Sequence, residues 1–269
     1  MSKTPDGLAV RTQKRYGWRA DSPDMRDYLL AVEPVKTLPR SVSLRKQMPP
    51  VYDQGQLGSC TANSIGAILE FNEMKQSENG ATTPSRLFIY YNERDIEGTV
   101  AQDSGAQIRD GMKAVSKLGV CPETSSPKSQ PYDLPYDIGK FTQPPPPPCY
   151  EFGLGHQIVS YRRIPQVLTQ MRACLASGFP FVFGFTVYSS FESEQVAKTG
   201  VVDLPASGEE VLGGHAVLAM GYDDKSQRFI VRNSWNTDWG QDGYFTIPYA
   251  YLTDPHLSSD FWTVRLVEA

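Results

Sequence analysis

Phe229-Ile230-Val231-Arg232-Asn233-Ser234-Trp235-Asn236-Thr237-Asp238-Trp239-Gly240-Gln241-Asp242-Gly243-Tyr244 is the most informative stretch of the chain. It opens as an apolar run of strand length and stops at an asparagine, after which two tryptophans and two glycines follow at close spacing. Upstream, Gly213-Gly214-His215-Ala216-Val217-Leu218-Ala219-Met220 is a second strand-like run, entered through a glycine pair where the backbone can bend closely. The polar turn at Asp223-Asp224 makes the two runs hairpin neighbours. That pairing sets an imidazole at the mouth of a rigid element, a good place for a general base. It also brings the Asn233 amide oxygen within reach of one ring nitrogen of His215, leaving the other nitrogen for a second partner. Trp235 is near enough to shield that hydrogen bond from water.

A base of this kind needs a nucleophile. Cys60 follows Gly58-Ser59 and opens an apolar-patterned helix predicted over residues 59–75, with Ile65, Ile68 and Leu69 on its buried face. A helix N-terminus carries about half a positive charge, which favours the thiolate, the nucleophilic form of cysteine. Alone, a cysteine at a helix start is an ordinary packed residue; the presence of His215 and Asn233 gives it a second meaning. The other two histidines fit less well, since His156 stands beside Gly155 at a strand start and His256 in the polar turn Asp254-Pro255-His256.

Three motifs together resemble the papain family of cysteine peptidases: Gln54-Gly55-Gln56-Leu57-Gly58-Ser59-Cys60, Gly214-His215-Ala216-Val217, and the block from Asn233 to Tyr244. Leu38-Pro39 through Leu44-Arg45 is similar to the start of the family's mature domain, so the resemblance covers about residues 38–269. It implies a papain-like two-lobed α+β fold, with a mainly helical left lobe, a β-barrel-like right lobe and the active-site cleft between them. Cys60 would then be the nucleophile, His215 its base and Asn233 the residue orienting the base. Gln54 would donate its side-chain amide to an oxyanion hole beside the Cys60 N–H. Gly105 would line the cleft and pair with substrate backbone. Ala106, Gln107, Gly214, Ala216, Trp235 and Leu252 complete the expected substrate-binding set, whose small or apolar members imply an apolar P2 side chain. Neither a cofactor nor a metal is implied. The implied activity is endopeptidase cleavage of protein or peptide substrates through an acyl-enzyme. Two alternatives remain open: a catalytically silent binding protein on the same fold, or a thiol-dependent acyl-transfer enzyme or amidase.

The chain also departs from the family pattern. Leu57 replaces a disulfide cysteine, Thr61 replaces an aromatic, and Asp103-Ser104-Gly105 replaces a Cys-x-Gly-Gly motif. The span from Cys60 to His215 slightly exceeds the usual roughly 130–150 residues. Bacterial-type members are similar at residues 104–110 and 119–122.

The rest of the chain fits around these motifs. Helices are expected near residues 86–94, at residues 104–118 with Ser104 as N-cap and Gly119 as stop, and at residues 164–176; strands are expected at residues 179–187, 215–222, 229–233, 244–247 and 261–267. The five prolines Pro144–Pro148 read as a stiff surface connection. A helical first part and a strand-rich second part make an α+β protein, divided here into residues 1–37, 38–150 and 151–269. The first of these is too short for a fold of its own. We expect it to act as a pro-like regulatory segment, with residues 10–30 lying over the cleft and Tyr16, Trp18 and Tyr28 as anchors.

Of the 269 residues, 26 are Lys or Arg and 30 are Asp or Glu, so no basic field invites nucleic acid or anionic lipid. Neither a membrane span nor the apolar core of a signal peptide is visible, which leads us to expect a cytoplasmic protein or one exported without such a signal. Four separated cysteines, Cys60, Cys121, Cys149 and Cys174, argue against structural zinc and leave a Cys121–Cys149 pairing open.

Overall fold

The structure is a computed structural model that describes residues 2–3, 9–10, 16–30, 37–76, 81–124 and 128–268. Two short strands, β1 (Ser2–Lys3) and β2 (Ala9–Val10), pair with each other, and β3 (Ser41–Ser43) joins the main sheet. Three helices follow, α1 (Cys60–Gln76), α2 (Arg86–Ile96) and α3 (Ile108–Leu118). After α4 (Pro147–Gly153) come β4 (Ile158–Arg163), α5 (Leu168–Ala176), β5 (Phe181–Tyr188) and α6 (Glu194–Thr199). The chain then runs through β6 (Val211–Asp223), β7 (Arg228–Arg232), β8 (Tyr244–Pro248), α7 (Tyr249–Thr253) and β9 (Ser258–Val267).

The main sheet has the order β4-β9-β5-β6-β7-β8, antiparallel throughout, with β3 on β6. The resemblance implied a barrel-like lobe; the described strands form an open sheet, because β4 and β8 do not pair. Side chains alternate faces along a strand. In β5, Val182 joins the helix-side core with α1, while Phe181, Phe183 and Phe185 join the opposite one; in β6, Ala216 and Leu218 face the helices, and Val217 and Ala219 face away. A strand covered on both faces needs apolar residues at every position. That is why these two runs showed no polar alternation. α1 is likewise buried from Cys60 through Glu73, wedged between the other helices and the sheet.

Two local expectations change. Ser104 does not cap α3, which begins at Ile108 behind Gln107; instead Gly105 turns at a φ of 68° and Ala106 is paired with residues 17–19. Gly119 does end α3, with φ of 67°. The proline run is not all connection, since Pro147 and Pro148 start α4, where a missing N–H costs nothing. β4 begins at Ile158, close to the strand start expected at His156, while α6 and α7 were not anticipated.

Cys121, Cys149 and Cys174 are buried free thiols, so the open Cys121–Cys149 pairing is not a disulfide here. Burial pushes the Cys174 thiol up to about 11 and raises Cys121 further, with Cys149 beside it. Among the described residues no helix is long and apolar enough to cross a membrane.

Candidate active site

Cys60 is the first residue of α1 and is fully buried under the rest of the chain. Its Sγ lies 3.4 Å from the backbone nitrogen of Ala216, the residue after His215. Strand β6 therefore delivers the imidazole to the thiol. On its other side, His215 Nε2 is 2.9 Å from Asn233 Oδ1. Asn233 is the first residue past β7, and the β6–β7 register pairs Leu218 with Arg232, so the hairpin itself sets this contact. Asn233 Oδ1 also accepts from the Ser234 N–H at 2.8 Å, which locks the amide. With Nε2 committed to Asn233, Nδ1 is the ring nitrogen left for the thiol side. Trp235 lies over His215 with ring centroids 5.1 Å apart, and Phe185 and Phe191 close the other sides. The aromatic wall excludes water from the pair, as the sequence led us to expect.

Gln54 is buried beside the loop that leads into α1. Its Oε1 accepts from Ser234 Oγ at 2.7 Å and its Nε2 donates to the Leu57 carbonyl at 2.9 Å. An amide nitrogen carries two hydrogens, so one remains to be aimed elsewhere. Ser234 was not singled out from the sequence, because a serine after the asparagine gives no hint that it reaches a glutamine 180 residues earlier. The loop is braced from below: Tyr136 donates to Gln54 O at 3.0 Å, Asn63 donates to Ser59 O at 2.9 Å, and Arg86 donates to Asn63 Oδ1 at 3.0 Å while pairing with Glu123. Thr61 donates to Glu93 Oε1 at 2.6 Å, and burial raises the Glu93 carboxyl to about 8. A threonine thus serves where the family pattern has an aromatic.

Residues 16–19 lie beside His215, Gly214 and Ala106, and residues 21–30 continue along α3, β4 and β9. Trp18 N donates to Gly214 O at 2.9 Å, Ala106 N to Gly17 O at 2.7 Å and Arg19 N to Ala106 O at 3.0 Å. Tyr16 packs edge-on to His215, with centroids 5.8 Å apart, and its hydroxyl meets Glu192. Ala106, not Gly105, makes the backbone pairs; Gly105, at φ of 68°, is where Gly17 passes too close for any side chain. Gln107 accepts from the Ser22 N–H at 3.0 Å. Residues 11–15 of the expected covering stretch lie outside the described residues. Tyr28 is not an anchor: it is 75% exposed, with only the Arg162 guanidinium over its ring. That end is held by backbone pairing with Arg163, where Leu30 N donates to Arg163 O at 2.7 Å and Arg163 N to Tyr28 O at 2.9 Å, by the buried Leu30 side chain, and by ion pairs. Asp27 pairs with Arg109 at 2.6 Å and with Arg163 at 2.8 Å. Leu252 belongs to the core on the far face of the sheet rather than to the cluster holding Ala216 and Trp18.

Gly184 offers a way to separate segment from scaffold. A Cβ there would overlap the Trp18 indole, and the three nearest atoms are all Trp18's. Gly184→Ala is expected to leave the sheet intact and push the segment out, so that Cys60 in the full chain is alkylated faster by iodoacetamide while the melting temperature falls only by the lost docking. An unchanged alkylation rate would contradict this.

Among cleft enzymes, helices on one side, a sheet on the other, and a thiol at a helix start beside a strand that carries a histidine held by an asparagine define cysteine peptidases of the papain type. The chain belongs to this family: the match described as papain family cysteine protease covers residues 38–254. The chain is 43% identical over 253 residues to the uncharacterized peptidase C1-like protein L477 of Acanthamoeba polyphaga mimivirus, covering 91% of this chain and 76% of that one. It superposes on the crystal structure of xylellain, a cysteine protease from Xylella fastidiosa, with a TM-score of 0.83 and 41% identity over 96% of this chain and 98% of that one. This bacterial relative accords with the bacterial-type resemblance of the sequence. Procathepsin L of Felis catus is 27% identical over 77% of this chain, which spans 60% of that protein.

Proposed function

We propose that this cysteine peptidase is an endopeptidase in which Cys60, His215, Asn233 and Gln54 do the chemistry and residues 16–30 hold it latent. The observation that carries the reading is the continuous contact from Asn233 Oδ1 to His215 and on through Ala216 to Cys60 Sγ. The Cys60 thiolate attacks the peptide carbonyl while His215, protonated, stands ready to give its proton to the leaving amine. Asn233 keeps the ring turned so that the proton-carrying nitrogen faces the reaction. The carbonyl oxygen, negative in the tetrahedral intermediate, is met by the Cys60 N–H and the free hydrogen of the Gln54 amide. Water, deprotonated by His215, then splits the thioester; acid and enzyme are released. The apolar packing of Trp18 between Gly184 and Gly214 supports a P2 side chain with a large apolar body.

Latency is supported by the way the segment makes parallel backbone pairs with Ala106 while Tyr16 lies against His215. Its removal, or its displacement by substrate, is the activating event in this reading.

Two measurements test the chemistry. An epoxysuccinyl inhibitor should add one inhibitor mass, on Cys60, to the full chain after prolonged exposure under reducing conditions. Gln54→Ala should lower kcat by about 10²–10³-fold with little change in KM, since the lost donor acts on charge that develops only in the transition state. Label on another cysteine, or full kcat in Gln54→Ala, would refute the assignment.

A further inference from the structure

The loop leading to Cys60 has a tie on the helical side that none of the four catalytic positions supplies. The Gly58 N–H points at the Asp103 carboxylate, with Oδ1 at 3.0 Å and Oδ2 at 3.1 Å. A Cβ at Gly58 would lie 2.9 Å from Asp103 Oδ1, so a side chain there would have to push the carboxylate away. Asp103 Oδ1 also accepts from the Tyr90 hydroxyl, whose oxygen in turn accepts from the Gly105 N–H at 3.2 Å. Burial, with the Asp103 carboxylate next, raises the Tyr90 hydroxyl and keeps it a proton donor. Arg94, fully buried, steadies the loop that brings Asp103 in. It donates to the carbonyls of Val100 at 2.8 Å and Gln102 at 2.9 Å, with its guanidinium 3.9 Å from the centre of the Tyr90 ring. The contacts thus run from Gly58 through Asp103 and Tyr90 to Gly105 without a break. One end is two residues before Cys60; the other adjoins Ala106, which pairs with the segment backbone. Gly17 lies between the two ends: a Cβ on it would overlap the Gly58 carbonyl, and one on Gly105 would overlap Gly17.

We infer that Asp103 is a positioning residue, which holds the Gly58 N–H so that the Cys60 N–H and the Gln54 amide stay aimed at the oxyanion, and which, through Tyr90, fixes the edge at 105–106 where substrate backbone pairs. The inference rests on the peptidase reading above. The family pattern has cysteines where this chain has Leu57 and Asp103, so no disulfide forms at these positions. A charge-assisted hydrogen bond, roughly twice as strong as a neutral one, braces the loop here instead. The brace matters because oxyanion donors act only at about 3 Å from the developing charge. A misplacement of about 1 Å can cost about a hundredfold in rate.

The test uses the full chain carrying Tyr16→Ala and Trp18→Ala, which uncovers His215 with the segment still attached, and a fluorogenic peptide with an apolar P2. An epoxysuccinyl inhibitor counts the working sites, so that rates refer to folded protein alone. Asp103→Ala is expected to lower kcat per titrated site by about ten- to a hundredfold, with KM within about threefold of the parent. Asp103→Asn, whose side-chain oxygen still accepts from Gly58 while its NH₂ donates to Tyr90, should keep kcat within about threefold. Tyr90→Phe frees Gly105 but leaves Asp103 on Gly58. It should raise KM by about three- to tenfold at little-changed kcat, because pairing at Ala106 is felt equally in the ground and transition states. A residue that only stabilised the fold would lower the melting temperature and the number of titrated sites, and leave kcat per site alone. Parental kcat per site in Asp103→Ala, or an equal loss in Asp103→Asn, overturns the inference and leaves the peptidase reading standing. An unchanged KM in Tyr90→Phe overturns it too, and does so even where Asp103→Ala fails to fold. An open cleft whose Cys60 takes the inhibitor but which turns over no peptide overturns both.

Discussion

Replacing Cys60 by alanine is expected to lower kcat/KM by about 10⁴-fold or more, and His215→Ala by a similar factor, with the double variant no worse than either single one. The physical reason is that thiol and imidazole act as one unit. Without the base the thiol attacks slowly and the leaving amine receives no proton; without the thiol the base has nothing to serve. The contact through Ala216 and the hydrogen bond to Asn233 make that unit a single rigid piece of the β6–β7 hairpin and the start of α1. Because Cys60 is buried, Cys60→Ala must also be shown to fold; a melting temperature near that of the parent protein serves. Residual activity within about a hundredfold of the parent, in a folded Cys60→Ala variant, would show that another nucleophile does the work.

The second large effect is on latency, and it depends on pH. Asp21 of the segment is buried against Asp260, and burial, with that second carboxylate next, pushes its carboxyl up from 3.8 to about 7. The groups facing the pair are the Arg109 N–H and guanidinium, the Trp262 and Trp18 indoles, Arg163 and Asp27. The sign follows from linkage. The docked segment binds the proton more tightly than the free segment, so docking is strongest below the ordinary carboxylate pKa. It weakens as pH rises from about 4 to about 7, by up to about tenfold per pH unit, and levels off above. The enzyme should therefore be most latent in acid and open toward neutral pH. The measurement is the ratio of Cys60 alkylation rates in the parent and in Asp21→Asn across pH 5 to 8, a ratio in which the thiol's own titration cancels. The amide of the variant has no proton to lose in this range, so the parent should open relative to the variant as pH rises. A ratio that stays flat would remove Asp21 from the control of latency.

How much of this was legible in the sequence differs by element. The long strands were, because apolar runs of five to eight residues between polar turns have few other uses, and so was α1, whose first residue the Gly58-Ser59 step announced. The start of α3 was not. Ser104 is a good cap by type, but Ala106 is held by backbone hydrogen bonds to residues 17–19, a partner that local propensity does not contain. The open sheet was also missed, because whether two edge strands meet is decided by twist and packing rather than by any strand's own residues. Of the candidate site, the residues that came from fixed-spacing motifs were found together: Cys60, His215, Asn233, Gln54 and Trp235. Leu252, which lies outside those motifs, is across the sheet from Ala216.

By itself, the sequence determined the chemical kit and its order along the chain: a thiol at a helix start, an imidazole entering a strand, an asparagine leaving the next, and an aromatic-bearing stretch ahead of the first family motif. Those features are local, written in neighbouring residues and in periods of two and 3.6. Only the tertiary structure decided what the cleft holds and what its pocket ends on. Trp18 and Asp260 meet across 242 residues of chain, and Asp21 meets Trp262 across 241. No short window contains both partners of such a contact. The Asp260 carboxyl turns inward at an irregularity of the β5–β9 pairing, with its own φ at 60°, and there it accepts from the Trp18 indole.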